Sequence, residues 1–266
     1  MEMSLQTTSI LVAIALVASF LVTLVLLNRH SKSKELKQFE QGLNCLLLYR
    51  QLLGLIQQHR GLSNGVLCGD NELQKRISPL QGDIQRLVQR INHNHAWLAK
   101  QENWLAISEH WQRLSKSFTE QTASNNLQQH NKLIANVLFL IDDIAEQHRL
   151  YELKDKDNRS IRYLWQDLLV TAENIGQARA IGTGVAAAQT CTSVDRIRLS
   201  YLHQAIERVS TGNKTAKLLD TIQQEVILDQ PLVKAQAYFE LATQALEEVF
   251  NDFDASLAQA QQSMNA

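Results

Sequence analysis

The spacing of apolar and polar positions along the chain predicts a helical protein. Apolar side chains recur every three or four residues, and the alternation typical of strands is almost absent. Because an α-helix has 3.6 residues per turn, this spacing collects apolar side chains on one helix face. Only two prolines and ten glycines among 266 residues interrupt the pattern. The sequence therefore predicts an all-α fold.

Interruptions of the pattern divide the chain into successive helices. After the N-terminal region, they predict helices over residues 34–67, 80–100, 103–118, 127–151, 161–188, 194–209 and 214–228. Ser78-Pro79 predicts a turn, Thr192 predicts an N-cap, and residues 211–213 predict a break. The charged segment 155–160 separates two halves, approximately residues 35–154 and 155–266. We expect each half to form a bundle of the four-helix type.

The last helix carries a heptad pattern. Pro231 is expected at its first position, where the missing N–H costs no hydrogen bond. Apolar residues then recur at spacings of three and four: Leu232, Ala235, Phe239, Ala242, Leu246, Val249 and Phe253. Such a seam is typical of packing inside a bundle, and it also suits the interface of a homodimer.

An uncharged apolar run of 19 residues, 9–27, predicts a membrane anchor. At a rise of 1.5 Å per residue it nearly spans a hydrocarbon core of about 30 Å. A secretory signal peptide would have a basic N-terminal region, a shorter apolar run and a small-residue cleavage site, and these features are missing here. We therefore expect a tail over residues 1–8, a transmembrane helix over 9–28 and a basic juxtamembrane segment over 29–34.

The charges that flank this run indicate its orientation. Four basic residues follow the run, and none precedes it: Arg29, Lys32, Lys34 and Lys37. Positively charged flanks stay on the cytoplasmic side of a membrane. The sequence thus predicts a single-pass protein of the inner membrane with a cytoplasmic C-terminal part.

Composition and local motifs narrow the classes of function. With 26 basic and 27 acidic residues the net charge is −1, so we expect no nucleic-acid partner. The three cysteines, Cys45, Cys68 and Cys191, are expected to be buried thiols because their number is odd and no CxxC is present. No phosphate loop, nucleophile motif or Glu-x-x-His pair occurs in the sequence. We therefore expect no catalytic residues, no metal and no cofactor.

Two arginines continue stripes that are otherwise apolar. One stripe comprises Leu46, Tyr49, Leu53 and Ile56 and leads to Arg60, and the other comprises Ile161, Trp165, Leu168, Ala172 and Ile175 and leads to Arg179. No Asp or Glu occurs within residues 41–68 or 174–194. Each guanidinium group thus faces the packing side of its helix without a local counter-ion, and a buried cation is costly unless it is paired.

The segments around these arginines align without a gap, residues 57–66 with 176–185, and match at both arginines. We therefore hypothesise that Arg60 and Arg179 converge on one small planar oxyanion, because a guanidinium group can bind two oxygens at once. Neutral side chains nearby could add hydrogen bonds: Gln58, Ser63, Asn64, Gln177 and Thr183. Alternatively, the arginines bond to helix-end carbonyls or to distant carboxylates such as Asp142 or Glu173.

At these residues the chain resembles the nitrate- and nitrite-sensing domain family. The family's first motif is a string like Glu-Arg-Gly-Leu-Ser after a leucine-rich run, and here LLGLI at 52–56 precedes QHRGLS at 58–63. A second signature resembles ENIGQARA at 173–180. The resemblance covers roughly residues 35–259. It implies paired four-helix bundles that bind nitrate or nitrite through arginines, here Arg60 and Arg179.

Two departures from the family pattern bear on function. His59 stands where the family often has glutamate, which affects ligand choice and the response to pH. Family members usually join this domain to an output module, and these 266 residues contain none. We therefore expect a membrane-anchored sensor of nitrate or nitrite that signals through an unidentified partner protein. The alternative is a ligand-free, membrane-tethered helical scaffold or protein-interaction module in which both arginines are structural.

Overall fold

The computed structural model describes residues 2–69, 71–94, 97, 100–209 and 212–265, without the side chains of residues 2–9, 12–14, 94 and 265. The described residues form eight α-helices: α1 Glu2–Leu67, α2 Gln74–Asn94, α3 Glu102–Ser117, α4 Ala123–Gln147, α5 Leu169–Ala188, α6 Ser193–Glu207, α7 Asn213–Thr221 and α8 Ala235–Asn265. One π-helical turn precedes α5, Leu164–Leu168, and another follows α7, Ile222–Val226. The predicted helical bundle is confirmed.

The chain divides into two compact units, Met1–Gln41 and Gly42–Ala266. The first unit consists of the N-terminal part of α1, and its apolar side chains from Leu16 to Leu27 are exposed. The second unit contains the remainder of α1 and all the other helices. It holds the core and both predicted arginines.

The predicted transmembrane helix over residues 9–28 is wrong, and so is the single-pass location in the inner membrane. Within the described residues, no helix has the length and apolar character needed to cross a membrane. In the predicted span, the side chains of 9 and 12–14 lie outside the described residues.

In the second unit, α2, α3 and α4 each run antiparallel to the helix before them. Hydrogen bonds record the alternation, since Gln81 of α2 contacts His59 of α1 and the carbonyl oxygen of Ser115 in α3. At the other end of α2, the indole of Trp104 donates to Asn92 over 2.6 Å. These four helices therefore have an up-down-up-down arrangement, which short connections favour.

The helices α5 to α8 pack mainly through α8. Tyr238 of α8 is fully buried, and its hydroxyl donates to the carbonyl oxygen of Ala178 in α5 over 3.0 Å. Glu248 of α8 accepts hydrogen bonds from the backbone N–H groups of Lys214 and Thr215 at the start of α7. A carboxylate is stabilising there because the first N–H groups of a helix have no intrahelical partner.

Two helix starts differ from the prediction, and both involve proline. The predicted turn at Ser78-Pro79 is wrong because Pro79 lies inside α2. Pro79 sits in the second turn of α2, so its missing N–H removes one early hydrogen bond, while Ile77 and Leu80 on either side are buried in the core. Packing of these side chains outweighs the local cost.

The last helix begins later than its sequence predicts. α8 starts at Ala235 and not at Pro231, and Leu232 is 71% exposed. The N–H of Leu232 donates to the carbonyl oxygen of Glu225 over 2.9 Å, so the backbone here is tied to the preceding π-helical turn. The later part of the predicted seam is buried as expected: Ala242, Leu246, Val249 and Phe253. The predicted break at residues 211–213 lies partly outside the described residues, and Gly212 precedes α7 as its N-cap.

Candidate functional site

Arg60 lies at the centre of the second unit and is 1% exposed. It continues the buried stripe of α1, as its spacing predicts, and faces α4 and α5. Its Nη1 donates to Glu173 Oε1 over 2.6 Å and to Asn131 Oδ1 over 2.7 Å. Its Nη2 is buried and makes no hydrogen bond with the described residues. Arg60 therefore has one carboxylate partner and one nitrogen with unused donors.

Glu173 of α5 is the carboxylate that holds Arg60 in place. It is buried, and in addition to Arg60 it accepts hydrogen bonds from Gln57 Nε2 and Gln177 Nε2, each over 2.9 Å. Charge-assisted bonds of this kind are short and strong. The carboxylate thus links α1 to α5 through two donors, Arg60 and Gln57, while the third donor, the predicted site residue Gln177, lies on α5 itself.

Arg179 lies one and a half turns after Glu173 on α5 and is 6% exposed. Its Nη1 donates to Thr243 Oγ1 over 3.1 Å, its Nη2 donates to the backbone oxygen of Gln57 over 3.5 Å, and its guanidinium lies 5.1 Å from the ring centre of Phe239. No carboxylate of the described residues lies within 4 Å of it. Burial and, to a smaller extent, the charge of Arg60 lower the pKa of Arg179 to about 10, against the opposite effects of Glu173 and Glu247.

The two arginines approach each other from neighbouring helices. Arg60 Nη2 lies 2.6 Å from the place where a Cβ on Gly176 would be, and Arg179 Nη2 lies 3.8 Å from the equivalent place on Gly61. Each guanidinium thus fills space that a glycine of the other helix leaves open. The cluster holds two permanent positive charges and one carboxylate, so its net charge is positive.

The other predicted ligand residues lie in different environments. Gln58 is exposed and lines a cavity beside Arg179. Ser63 is buried and bonds to Asn126 of α4 and to the backbone oxygen of Arg60, not to a guanidinium group. Thr183 has a buried hydroxyl oxygen without a partner among the described residues, and no contact joins it to the cluster. Asn64 bonds through its amide nitrogen to Cys68. Of the seven residues named from the sequence, the structure brings Arg60, Arg179 and Gln177 together.

Two histidines form a second buried network next to Arg60. His59 Nδ1 lies 2.9 Å from His130 Nε2, and His130 Nδ1 lies 2.8 Å from the backbone oxygen of Asn126. A carbonyl oxygen only accepts, so His130 carries its proton on Nδ1 and accepts from His59 through Nε2. His59 Nε2 then accepts from Gln81 Nε2 over 3.1 Å. Every ring nitrogen is satisfied in the neutral state.

Burial lowers the pKa of both histidines. The pKa of His59 falls to about 4, and that of His130 falls to about 3 with further contributions from the charges of His59, Arg60 and His110. Trp111 and Phe118 meet the ring of His59 edge-on at 4.9 and 5.6 Å and shield it from water. His59, at the position where the nitrate- and nitrite-sensing family often has glutamate, is therefore a neutral side chain.

Sequence reasoning missed several residues of the cluster as site residues. Asn131, Thr243 and Gln57 come from three different helices and carry no local signal that relates them to an arginine. Glu173 was considered only as a distant structural partner. The sequence gives one signal that Glu173 belongs to the cluster, its place on the same predicted helix six residues before Arg179. An acidic residue that is buried requires a cation nearby.

The fold resembles that of the NasR transcription antiterminator. The two structures superpose with a TM-score of 0.68 and 15% sequence identity, over 92% of this chain and 74% of that chain. No family model matches the sequence, and no curated protein matches it. At this identity the similarity shows a shared helical fold.

Proposed function

We propose that this chain is a helical regulatory module that acts through contact with a partner protein. Two observations support the proposal. The fold is similar to that of a protein named as a transcription antiterminator. The segments 58–63 and 173–180 resemble signatures of the nitrate- and nitrite-sensing family, and they hold the two buried arginines of the cluster.

The ligand proposed for the module is a small planar oxyanion, nitrate or nitrite, bound at Arg60 and Arg179. The observation that carries this proposal is the charge of the cluster. Two buried guanidinium groups face one carboxylate, and Arg60 Nη2 has donors without a partner among the described residues. A bound monovalent anion would neutralise the remaining charge and accept these donors.

Binding would act on the packing of three helices. Arg60 belongs to α1, Arg179 belongs to α5 and contacts Thr243 of α8. With the anion absent, the two guanidinium groups repel each other, and the charge of Arg60 lowers the pKa of Arg179. The anion would therefore favour the arrangement in which these helices are closest. It shifts the equilibrium only by the difference between its affinities for the two arrangements.

Thermal unfolding of the full chain tests this proposal when nitrate, nitrite, chloride and sulfate are titrated separately. We expect nitrate or nitrite to raise the midpoint selectively, because a ligand that binds only the folded state stabilises it. Arg179→Met keeps much of the side-chain volume and should abolish the rise. Arg113→Ala is the control, since Arg113 is 69% exposed and pairs only with Glu109. An undiminished rise in Arg179→Met would overturn the proposed site.

Replacement of Glu173 by glutamine sharpens the test. Glu173→Gln keeps the shape of the side chain but leaves two buried arginines without a carboxylate. We expect it to lower stability in chloride by about 3 kcal/mol or more, because the charge of Arg60 loses its partner. Nitrate should then raise the midpoint more than in the wild type. If every salt restores the lost stability equally, electrostatic screening of the arginine charges explains the effect, and no specific anion-binding site is needed.

The Arg60–Glu173 bond favours a second candidate function, a ligand-free scaffold or interaction module. At 2.6 Å this buried pair meets the need of Arg60 for a counter-ion without any ligand. Such pairs are often replaceable by apolar side chains of similar size. Under this hypothesis Arg60→Met and Glu173→Met each destabilise, the double variant recovers most of the loss, and added anions leave all four proteins unchanged. A selective nitrate effect in the wild type would exclude it.

A further inference from the structure

A cavity of about 530 Å³ lies between α1, α2 and α8, with Arg179 of α5 in its lining. Sites for small organic molecules typically have volumes of roughly 300–1,000 Å³. A water molecule takes up ~30 Å³ in the liquid, and a four-atom oxyanion needs only a few times that space. The cavity therefore exceeds what nitrate or nitrite would fill.

The cavity is elongated along α1. Gly61 faces Phe239 of α8 at 3.9 Å, and Gly54 faces Phe250 at 3.5 Å, each measured from the place of an added Cβ. The two glycines are seven residues apart, which corresponds to about 10 Å along a helix. Arg179 contacts Phe239 near one end of this wall. Beyond Gly54 and Phe250 the lining continues to Gln51 and Arg50, whose guanidinium lies 4.2 Å from the ring centre of Phe250.

The wall between these ends is largely apolar. Its apolar members are leucines and phenylalanines from three helices: Leu55, Leu62, Leu87, Phe239, Leu246 and Phe250. Leu62, Leu87 and Leu246 are only 3, 4 and 6% exposed and form the buried base of the wall, whereas Leu55 and Phe239 are half-buried and present apolar surface to the cavity. An apolar ligand body would gain free energy by covering it.

The charges around the cavity are mainly positive. Five arginines line it against two carboxylates, Asp83 and Glu247. Asp83 is paired with Arg86, and Arg50 is paired with Asp254, which lies outside the lining. Arg179 is the deepest of the five at 6% exposure, and no carboxylate of the described residues lies within 4 Å of it. One end of an apolar cavity thus holds a buried cation without a carboxylate partner.

We propose that this cavity binds an amphipathic organic carboxylate. Its head group accepts hydrogen bonds from Arg179 beside Thr243, and its aryl or branched apolar body lies along the leucine and phenylalanine wall toward Gly54. A small molecule suits the site better than an acidic peptide helix, because the unpaired charge is at a buried end that a side chain on a seated helix would not reach. The ligand shares Arg179 with the proposed oxyanion but does not require Arg60, so it would compete with that anion.

Isothermal titration calorimetry on the full chain tests the proposal with a graded series of probes. We expect phenylbutyrate to bind at least tenfold more tightly than acetate, because its added apolar surface would be buried. Phenylbutanol, the neutral analogue, should bind at least tenfold more weakly than phenylbutyrate. Heat-capacity changes should be more negative for phenylbutyrate than for nitrate, since apolar burial has that signature. Equal affinities across the series would overturn the proposal.

Variants at the far end of the cavity separate this ligand from the oxyanion. Gly54→Leu places a side chain in the apolar end, and Gly54→Ala is its milder form, because an added Cβ meets Phe250 at an ordinary contact distance. We expect a graded loss of phenylbutyrate binding, tenfold or more for leucine, with nitrate binding unchanged. Arg179→Met should abolish phenylbutyrate binding. Undiminished phenylbutyrate affinity in Gly54→Leu would place the molecule elsewhere and refute the site.

The same titrations distinguish the two proposals. If phenylbutyrate binds as described and nitrate does not, the organic carboxylate site stands and the oxyanion function fails. If nitrate binds through both arginines and phenylbutyrate does not, the reverse holds.

Discussion

Arg60 shows how one residue on a packing face decides between two functions. Its position on the stripe of α1 predicted a buried guanidinium, and the side chain is indeed 1% exposed. Its partner, Glu173, comes from a helix more than a hundred residues later. Local spacing detects that an arginine lacks an acidic neighbour within a helical turn, but it cannot detect a carboxylate that only folding brings near. The anion site therefore remains a prediction, and Glu173 already neutralises one of the two positive charges of Arg60 and Arg179.

His59 and His130 give the fold a dependence on pH at the residue scale. Both histidines are neutral in their buried chain of hydrogen bonds, and burial lowers their pKa to about 4 and about 3. The unfolded chain protonates them near pH 6.5, before the folded chain does. Stability should therefore fall as pH drops from about 6.5 toward 4, by on the order of 3 kcal/mol from His59 alone, and should level off below the folded pKa values.

Urea unfolding at a series of pH values checks this expectation. The double variant His59→Leu/His130→Leu should lose most of the slope between pH 6.5 and 4, although its stability at neutral pH is also lower because Gln81 loses a partner. His93→Gln is the control, since His93 is exposed near the end of α2. A wild-type slope that persists in the double variant would assign the effect to carboxylates.

At the scale of helices, α5 owes its position to two glycines. An added Cβ on Gly176 would come within 2.6 Å of Arg60 Nη2, and one on Gly182 would overlap ring atoms of Tyr238. In the alignment of residues 57–66 with 176–185, Gly65 matches Gly184. An added Cβ on Gly65 would meet the side chain of Leu73 at 2.4 Å, whereas one on Gly184 meets nothing within 4 Å. Sequence alignment located the helices that approach closely but not the glycines that permit the approach.

Gly182→Ala tests this packing, and Gly184→Ala on the same helix is its matched control. Tyr238 cannot easily yield, because it is fully buried and its hydroxyl donates to Ala178. We expect Gly182→Ala to destabilise the protein by about 1–3 kcal/mol through overpacking. Gly184→Ala should be neutral or stabilising by up to about 1 kcal/mol, because alanine is the better helix former. Equal midpoints of thermal unfolding for the two variants would refute the close approach at Gly182.

At the scale of the whole molecule, contacts between distant helices join the second unit, Gly42–Ala266. Arg60 of α1 bonds to Glu173 of α5, and Arg50 of α1 bonds to Asp254 of α8 over 2.7 Å. The indole of Trp165, in the π-helical turn before α5, donates to Asp142 of α4 over 2.8 Å. Helices early and late in the chain therefore share one set of ion pairs and hydrogen bonds.

These contacts lead us to expect one cooperative unfolding transition for this unit. Single-tryptophan variants that retain either Trp111 of α3 or Trp165 would report on its early and late helices. Their fluorescence midpoints in urea should coincide, because neither group of helices keeps its buried surface when the other unfolds. Midpoints that are clearly separated would show that residues 42–152 and 161–265 unfold independently.

The spacing of apolar and polar residues was enough to predict the helical class, the ends of several helices and the burial of both arginines. These properties depend on neighbours within four residues, which a 3.6-residue period relates directly. The same local reasoning failed at Pro79, at Leu232 and over the proposed membrane segment. In the first two, packing or a backbone bond to the preceding π-helical turn outweighed the local preference.

Which side chains come into contact depends on how the helices pack in the tertiary structure. It paired Arg60 with Glu173, placed Arg179 at the end of a cavity, and joined His59 to His130 in a neutral chain. Each of these contacts spans at least 71 residues of sequence or combines several helices, and each depends on side-chain geometry at the level of single hydrogen bonds. No periodicity encodes such distances, so the chemistry of the site arises when the helices pack.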